Sequence, residues 1–336
     1  MIRESIKMLV EGHSLTIEQA EKVMNEIMDG EATPAQFGAF VTALRLKGET
    51  VDEMIGMVKV MRQKAVAVTV NGMVVDTCGT GGDTVGTFNI STTAAFVAAG
   101  VGLKVAKHGN RAMSSHCGSA DVLEALGIKI DLHAEDVRRC IEKVGIGFMY
   151  APIFHPAMKY TAMPRREIGI RTIFNHIGPL TNPAGTTAQV IGVADGHAVE
   201  KIAMVLKDLG CQHALVVHGE DGLDEISISG RTMIYELKDD AIKGYLINPR
   251  DFGLKEASLD SIRGGTVVEN AAILRDVLSG QRGPRRDIVL MNTAAVVLAG
   301  DKVDNLEEGF KLAEDSIDKG IAMQKLEQLI TLSQVL

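Results

Sequence analysis

The chain has 336 residues, is 46% hydrophobic and 23% charged, and carries a net charge of -8. That length suits one large domain plus a smaller one. The acidic balance disfavours a general nucleic-acid or membrane surface while leaving room for a local basic pocket.

Four cysteines, Cys78, Cys117, Cys140 and Cys211, lie too far apart in sequence for a C-x-x-C pair, so neither a zinc site nor a disulfide framework is indicated. The opening "MIRESIKMLVEGHS" lacks the apolar centre of a signal peptide, and "TTAAFVAAGVGL" is too short to span a membrane. A reduced, cytoplasmic setting is expected.

Residues 14 to 64 read as three helices. Thr16 with Gln19 and Thr50 with Glu53 have the spacing of capping boxes, and Thr33 followed by Pro34 reads as an N-cap and first helical position. Apolar residues recur at helical spacing at Ile17, Ala20, Val23 and Ile27, then at Phe37, Phe40 and Leu44. The rhythm changes at "NGMVVDTCG", a strand that ends in glycines. "STTAAFVAAG" follows as a helix, "LKVAKHG" as a buried strand, "SADVLEALG" as a helix and "IKIDL" as a strand. "GIGFMYA", "AQVIGVAD" and "HALVVHG" continue the strand series. This alternation predicts an α/β fold: a large domain with a mostly parallel central sheet flanked by helices, beside a small all-helical N-terminal domain. The expected division is 1–70 for the helical domain and 71–336 for the α/β domain. The segment 155 to 190 breaks this rhythm with two helix-like stretches around Pro164, and helices from about 163 to 187 are expected to join the helical domain. Residues 226 to 260 read as short strands and turns, and the last forty as helix.

Four stretches carry chemistry. "DTCGTGGDTVGTFNIST", residues 76 to 92, follows a strand and opens a helix. Its bare backbone at Gly79, Gly81 and Gly82 and the helix start at Ser91 and Thr92 suit a phosphate, although a tight strand-to-helix turn with a serine cap has the same composition. No lysine follows in P-loop register, and Thr84 stands where a dinucleotide fingerprint needs its last glycine. "KHGNRAMSSHCGSAD", residues 107 to 121, follows the next strand and brings Lys107, Arg111, Asn110 and several serines to the same sheet edge; a solvated loop is the plainer reading. Asp224 and Glu225 in "GEDGLDEIS" could hold magnesium together with substrate phosphates, or form an acidic solvated turn. Arg165, Arg166 and Arg171 cluster in "PRREIGIRTIFNHIGPLTNPA"; surface salt bridging is the default for Arg166 and Arg171.

In this order and at these spacings, "DTCGTGGD", "FNIST", "KHGNR", "GPLTNP" and the acidic pair resemble the anthranilate phosphoribosyltransferases of tryptophan biosynthesis, within the nucleoside phosphorylase and phosphoribosyltransferase fold family. The resemblance covers nearly the whole chain. It implies transfer of phosphoribose from phosphoribosyl pyrophosphate to the amino group of anthranilate, a homodimer, and magnesium, two ions per subunit. By motif match, Gly79, Gly82, Asp83, Thr87, Asn89, Ile90, Ser91 and Thr92 would cradle phosphoribosyl pyrophosphate. Lys107, His108, Gly109, Asn110, Arg111, Ala112, Met113, Ser114, Ser115 and Ser119 would complete that cradle. Gly79, Asn110 and Arg165 would face anthranilate, and Ser91, Asp224 and Glu225 would serve the metals. Lys107 is the candidate for charge stabilisation, and His108 is read as a structural or backbone contact. The same pattern resembles pyrimidine nucleoside phosphorylases more loosely. A non-catalytic nucleic-acid-binding relative is opposed by the intact glycine motif and the negative charge. Association with a glutamine amidotransferase is left open by the sequence.

Overall fold

The computed structural model describes residues 1–83, 85–112 and 117–336. Its centre is one seven-stranded sheet in the order β3-β2-β1-β4-β5-β6-β7. The strands are β1 (Val75–Gly79), β2 (Val105–Gly109), β3 (Ile146–Tyr150), β4 (Ala188–Gly192), β5 (His213–Gly219), β6 (Thr232–Lys238) and β7 (Ala241–Ile247). The first five are parallel, and β6 and β7 add an antiparallel hairpin. From β1 the chain builds β2 and then β3 on one side and later returns to β4 on the other. The carboxyl ends of β1 and β4 therefore lie side by side where the strand order reverses, the usual place for a ligand in such sheets.

Helices α1 (Ile2–Val10), α2 (Ile17–Met28), α3 (Pro34–Lys47) and α4 (Val51–Gln63) form a layer of their own. Each of the last three starts at a threonine whose hydroxyl accepts from the backbone three residues on: Gln19 N to Thr16 at 3.2 Å, Gln36 N to Thr33 at 3.2 Å and Glu53 N to Thr50 at 3.3 Å. Side chains of β5 divide by the period of two. Ala214 and Val216 pack with this helical layer, whereas Leu215 and Val217 pack into the opposite core. The opposite core is centred on α5 (Ile90–Gly100), whose residues 92–99 are all buried against helix Pro284–Ala299. A helix that is apolar all round belongs inside. None of the helices is long and apolar enough to cross a membrane among the described residues.

Two expectations need correction, one helix is unanticipated, and the expected strands and turns of 226 to 260 are defined more closely. Helix α1 has no counterpart in the sequence reading. The "IKIDL" segment is no strand: Ile128, Ile130 and Leu132 are buried in alternation, but Ile128 N bonds Leu123 O and Lys129 N bonds the Ser333 hydroxyl, so its backbone closes a helix end rather than a ladder. Pro164 does not separate two helices; it lies inside helix Lys159–Ile168, and the second stretch starts only at Ile173. Residues 226 to 260 contain two seven-residue strands joined by Asp239 and Asp240, both at positive φ as a two-residue hairpin turn demands.

One buried carboxylate joins the strands beneath the site. Asp76 in β1 is 0% exposed. Its Oδ1 accepts from Thr77 N at 2.8 Å, and its Oδ2 accepts from Asn182 Nδ2 at 2.7 Å. The same amide donates to Ala106 O of β2 at 2.8 Å, and Asn182 Oδ1 accepts from Ala184 N at 2.8 Å. Burial pushes the Asp76 carboxyl up, while Lys107 and Asn182 pull it back down. Asn182→Ala removes a donor from a buried acceptor, so it should lower unfolding free energy by about 1–3 kcal/mol. Urea denaturation at neutral pH checks this; an unchanged midpoint with an unchanged slope would show that Asp76 is satisfied without Asn182.

Candidate active site

The carboxyl ends of β1, β2 and β5 deliver three loops to one place. After β1 the backbone turns through Thr80, whose N–H donates to Gly192 O at 2.8 Å, and Gly81, whose N–H donates to Asp224 Oδ2 at 2.7 Å. Asp224 is thus not a solvated turn residue. It is 7% exposed and fills the groove between the ends of β1 and β4. A Cβ at Gly79 would lie 2.1 Å from its Oδ2, and one at Gly192 would lie 1.6 Å from its carbonyl oxygen. Glycine is required at both positions because Asp224 occupies the space.

Asp83 closes the loop as a local turn, accepting from Val85 N at 3.2 Å and Gly86 N at 3.1 Å. Thr87 then forms an isolated bridge with Arg263, and Gly264 N donates to Gly86 O at 2.9 Å, so a distant segment walls the loop. Asn89 is the N-cap residue of α5. Its amide donates to Cys117 O at 3.1 Å and accepts from Asn270 Nδ2 at 3.2 Å. Ile90 and Thr92 are buried, whereas Ser91 stays part-exposed at the helix start. There Ser91 N donates to Glu225 Oε1 at 3.2 Å.

Lys107 reaches the same point from β2. It is 2% exposed, its Nζ donates to Thr77 O at 2.6 Å, and Ser91 Oγ lies 3.5 Å away. His108 packs against His155 with ring centroids 5.0 Å apart and the planes tilted by 55°. Burial, helped by His155 and Lys107, lowers its pKa to about 3, so the ring is neutral at physiological pH. Asn110 O accepts from Ala120 N at 3.2 Å and from Ser119 Oγ at 3.3 Å, which folds the loop back onto the next helix. Met113, Ser114 and Ser115 lie outside the described residues.

The sequence-predicted residues thus divide. Gly79, Gly82, Asp83, Ser91, Lys107, Asp224 and Glu225 come together. Arg111 does not join them: its guanidinium pairs with Asp121 at 3.0 Å and Glu124 at 2.8 Å and lies over the Tyr150 ring. Arg165 sits in the helical layer with its guanidinium 5.2 Å from the Phe174 ring centroid. Arg171 is no surface salt bridge; it is half-buried and donates to Thr80 O at 3.3 Å. Asp76, Asn182 and Asn270 receive no role from sequence. Asp76 and Asn182 lie 106 residues apart, and Asn270 lies 181 from Asn89; a single buried polar residue carries no signal of a partner so distant.

The site is short of positive charge. Asp224 is pushed up to about 6, first by burial and then by Asp83. Glu225 is raised well above the usual carboxylate range, first by burial and then by Asp224, with Lys107 opposing. These donors fit a hard divalent cation, which takes a few carboxylate and hydroxyl oxygens and keeps room for phosphate and water. Among the described residues no three His, Cys, Asp or Glu side chains form a closed cage, so any such ion must draw further ligands from elsewhere.

Residues 3–65 match the family model described as "Glycosyl transferase family, helical bundle domain", and residues 71–323 match "Glycosyl transferase family, a/b domain". Sheet, helical layer and polar loop cluster are thus those of a glycosyl transferase. A Dehalococcoides mccartyi anthranilate phosphoribosyltransferase is 58% identical over 100% of this chain and 99% of its own length. The solved enzyme of that name from Thermus thermophilus superposes with a TM-score of 0.93 at 41% identity, over 98% of this chain and 99% of that one. The Saccharomyces cerevisiae enzyme, solved in complex with phosphoribosyl pyrophosphate and magnesium, gives 0.92 at 28% identity, over 100% and 98%. The chain belongs to the anthranilate phosphoribosyltransferase family.

A raised folded-state pKa makes an acid's charged form unfavourable in the fold. Stability associated with Asp224 is therefore fully present below the ordinary carboxylate pKa near 3.8 and is lost as pH rises through about 6. Without added divalent cation, Asp224→Asn should flatten that fall by on the order of 2 kcal/mol between about pH 4 and 6. Chemical denaturation of both proteins across this range checks it; parallel curves would mean that the carboxylate is already neutralised in the fold.

Proposed function

We propose that the chain transfers the phosphoribosyl group of 5-phosphoribosyl 1-pyrophosphate to the amino group of anthranilate, yielding N-(5-phosphoribosyl)anthranilate and pyrophosphate in tryptophan biosynthesis. The observation that carries this reading is the meeting of Lys107, the start of α5, the glycine loop and two carboxylates at one sheet edge. The yeast relative supports it through its complexes with phosphoribosyl pyrophosphate and magnesium and with 4-fluoroanthranilate.

In this reading the glycine-loop and α5 N–H groups bind the diphosphate, and Lys107 adds charge beside Ser91. Asp224, Glu225 and the Ser91 hydroxyl would hold magnesium, two ions per subunit, whose charge would offset that of the departing pyrophosphate. Gly79, Asn110 and Arg165 face anthranilate, the arginine offering its guanidinium to the carboxylate. The C1–pyrophosphate bond breaks with oxocarbenium character, as in glycoside chemistry, the amine nitrogen closes onto C1, and the nitrogen then gives up its extra proton to water or to the released pyrophosphate. Anthranilate already presents a neutral amine, so orientation replaces base catalysis. His108, neutral and packed on His155, lends structure rather than a proton. The same reading divides the chain into a helical domain, 1–70 joined by 163–187, and an α/β domain, 71–336. It gives a homodimer, for which exposed Val10, Leu46, Tyr160 and Met163 on the helical layer offer apolar surface. Its biosynthetic role assigns it to the cytoplasm.

Anthranilate fluorescence should fall on adding protein only when both phosphoribosyl pyrophosphate and magnesium are present. Persistence of the signal, with phosphorolysis of thymidine or uridine instead, would transfer the assignment to a nucleoside phosphorylase. Arg165→Ala should raise the anthranilate KM roughly ten- to a hundredfold, the worth of a lost charged hydrogen bond, with little change in the phosphoribosyl pyrophosphate KM. Steady-state kinetics in both substrates tests this, and a parallel rise of the two constants would make Arg165 a packing residue.

A further inference from the structure

The geometry points to Arg171 as a positioning residue that pins the glycine loop from the helical layer; this deepens the proposed reaction and rests on it. The loop has three supports. Two come from the sheet: Thr80 N on Gly192 O, with the Thr80 hydroxyl accepting from Ala194 N at 3.3 Å, and Gly81 N on Asp224. The third is Arg171. One terminal nitrogen donates to Thr80 O at 3.3 Å. The other lies 1.4 Å from where a Cβ of Gly82 would stand, so the guanidinium rests against that residue's Cα, which is held at a φ of +88°.

Among the described residues, Arg171 is the only side chain of the helical layer that donates to residues 79–83. It is anchored where it leaves that layer: Thr172 N donates to Asn175 Oδ1 at 3.0 Å at the start of the next helix, and Ile173 and Phe174 are buried in the helical core. Its charge also lies near Asp224 and Asp195, with Arg45 opposing it. Arg171 therefore holds Gly81 in the orientation that bonds Asp224, and supplies on this flank a positive charge that the backbone dipoles lack. Lysine can keep the charge but not the planar contact with Gly82 together with the bond to Thr80. The ligand whose binding depends on that loop is the diphosphate donor, not the aromatic acceptor.

The test uses full-length wild type, Arg171→Ala and Arg171→Lys, with two readouts. Hydrogen exchange of the peptide covering residues 79–83, without substrate, should accelerate roughly tenfold in Arg171→Ala and less in Arg171→Lys, because Gly81 and Gly82 lose their clamp. In kinetics the phosphoribosyl pyrophosphate KM should rise roughly tenfold in Arg171→Ala, the lower end for one charged hydrogen bond, while the anthranilate KM stays within about twofold. Arg171→Lys should recover part of that loss. Unchanged exchange overturns the proposal. So does a joint rise of both KM values with a lowered melting temperature, or a rise confined to anthranilate. A wild type with no turnover would instead refute the proposed reaction, and the exchange result would still decide whether Arg171 pins the loop.

Discussion

A carboxylate buried near the start of β1 sets the terms for the whole molecule. Asp76 has no access to water, and an ionised group in that position survives only if each oxygen is bonded and a cation stands near. Asn182 supplies the bond and Lys107 the charge. Asn182 in turn holds β2 through Ala106 O, and Lys107 holds β1 through Thr77 O. One buried charge thus fixes the spacing of the two strands whose ends carry the glycine loop and the lysine loop. It also draws the 178–184 segment, which leads out of the helical layer, onto the sheet.

The consequence at the surface of the sheet is an imbalance. Lys107 is shared between Asp76 below and Glu225 above, and the cation near Asp224 is Arg171. Burial outweighs both, so the upper pair is left with a raised proton affinity. A fold that needed only stability would replace such a pair with apolar residues of similar size. Keeping it, and reserving Gly79 and Gly192 to seat Asp224, has a cost that makes sense if the missing charge arrives with a ligand.

How much of this is legible in the sequence follows the range of each interaction. The capping boxes at Thr16 and Thr50 and the N-cap at Thr33 are readable because donor and acceptor lie within three residues. The strand alternation is readable because burial on both faces leaves continuous apolar runs. "IKIDL" has the same alternation and is no strand, since pattern reports burial and the ladder place beside β2 belongs to residues 146–150. The glycine loop and the acidic pair are visible as compositions, but Asp224 reads as an exposed turn until its contact with Gly81, 143 residues away, is seen. Arg171 reads as a surface charge for the same reason: a guanidinium on Thr80 O, 91 residues distant, has no local signature.

The two layers then divide the chemistry. Groups on the sheet side are tied to strand ends and to one another: Lys107 lies in β2, Ser91 at the start of α5 donates to Glu225, and Asp224 accepts from Gly81 after β1. Groups on the helical side, Arg165 and Arg171, are carried by helix Lys159–Ile168 and the short segment that joins it to helix Ile173–Ile177. A diphosphate demands fixed donors, which sheet ends and a helix start provide. An aromatic acid that must enter and leave demands a wall that is built separately. Both arginines come from that wall: Arg171 reaches the fixed loop, and Arg165 is held over the ring of Phe174, itself buried in the helical core.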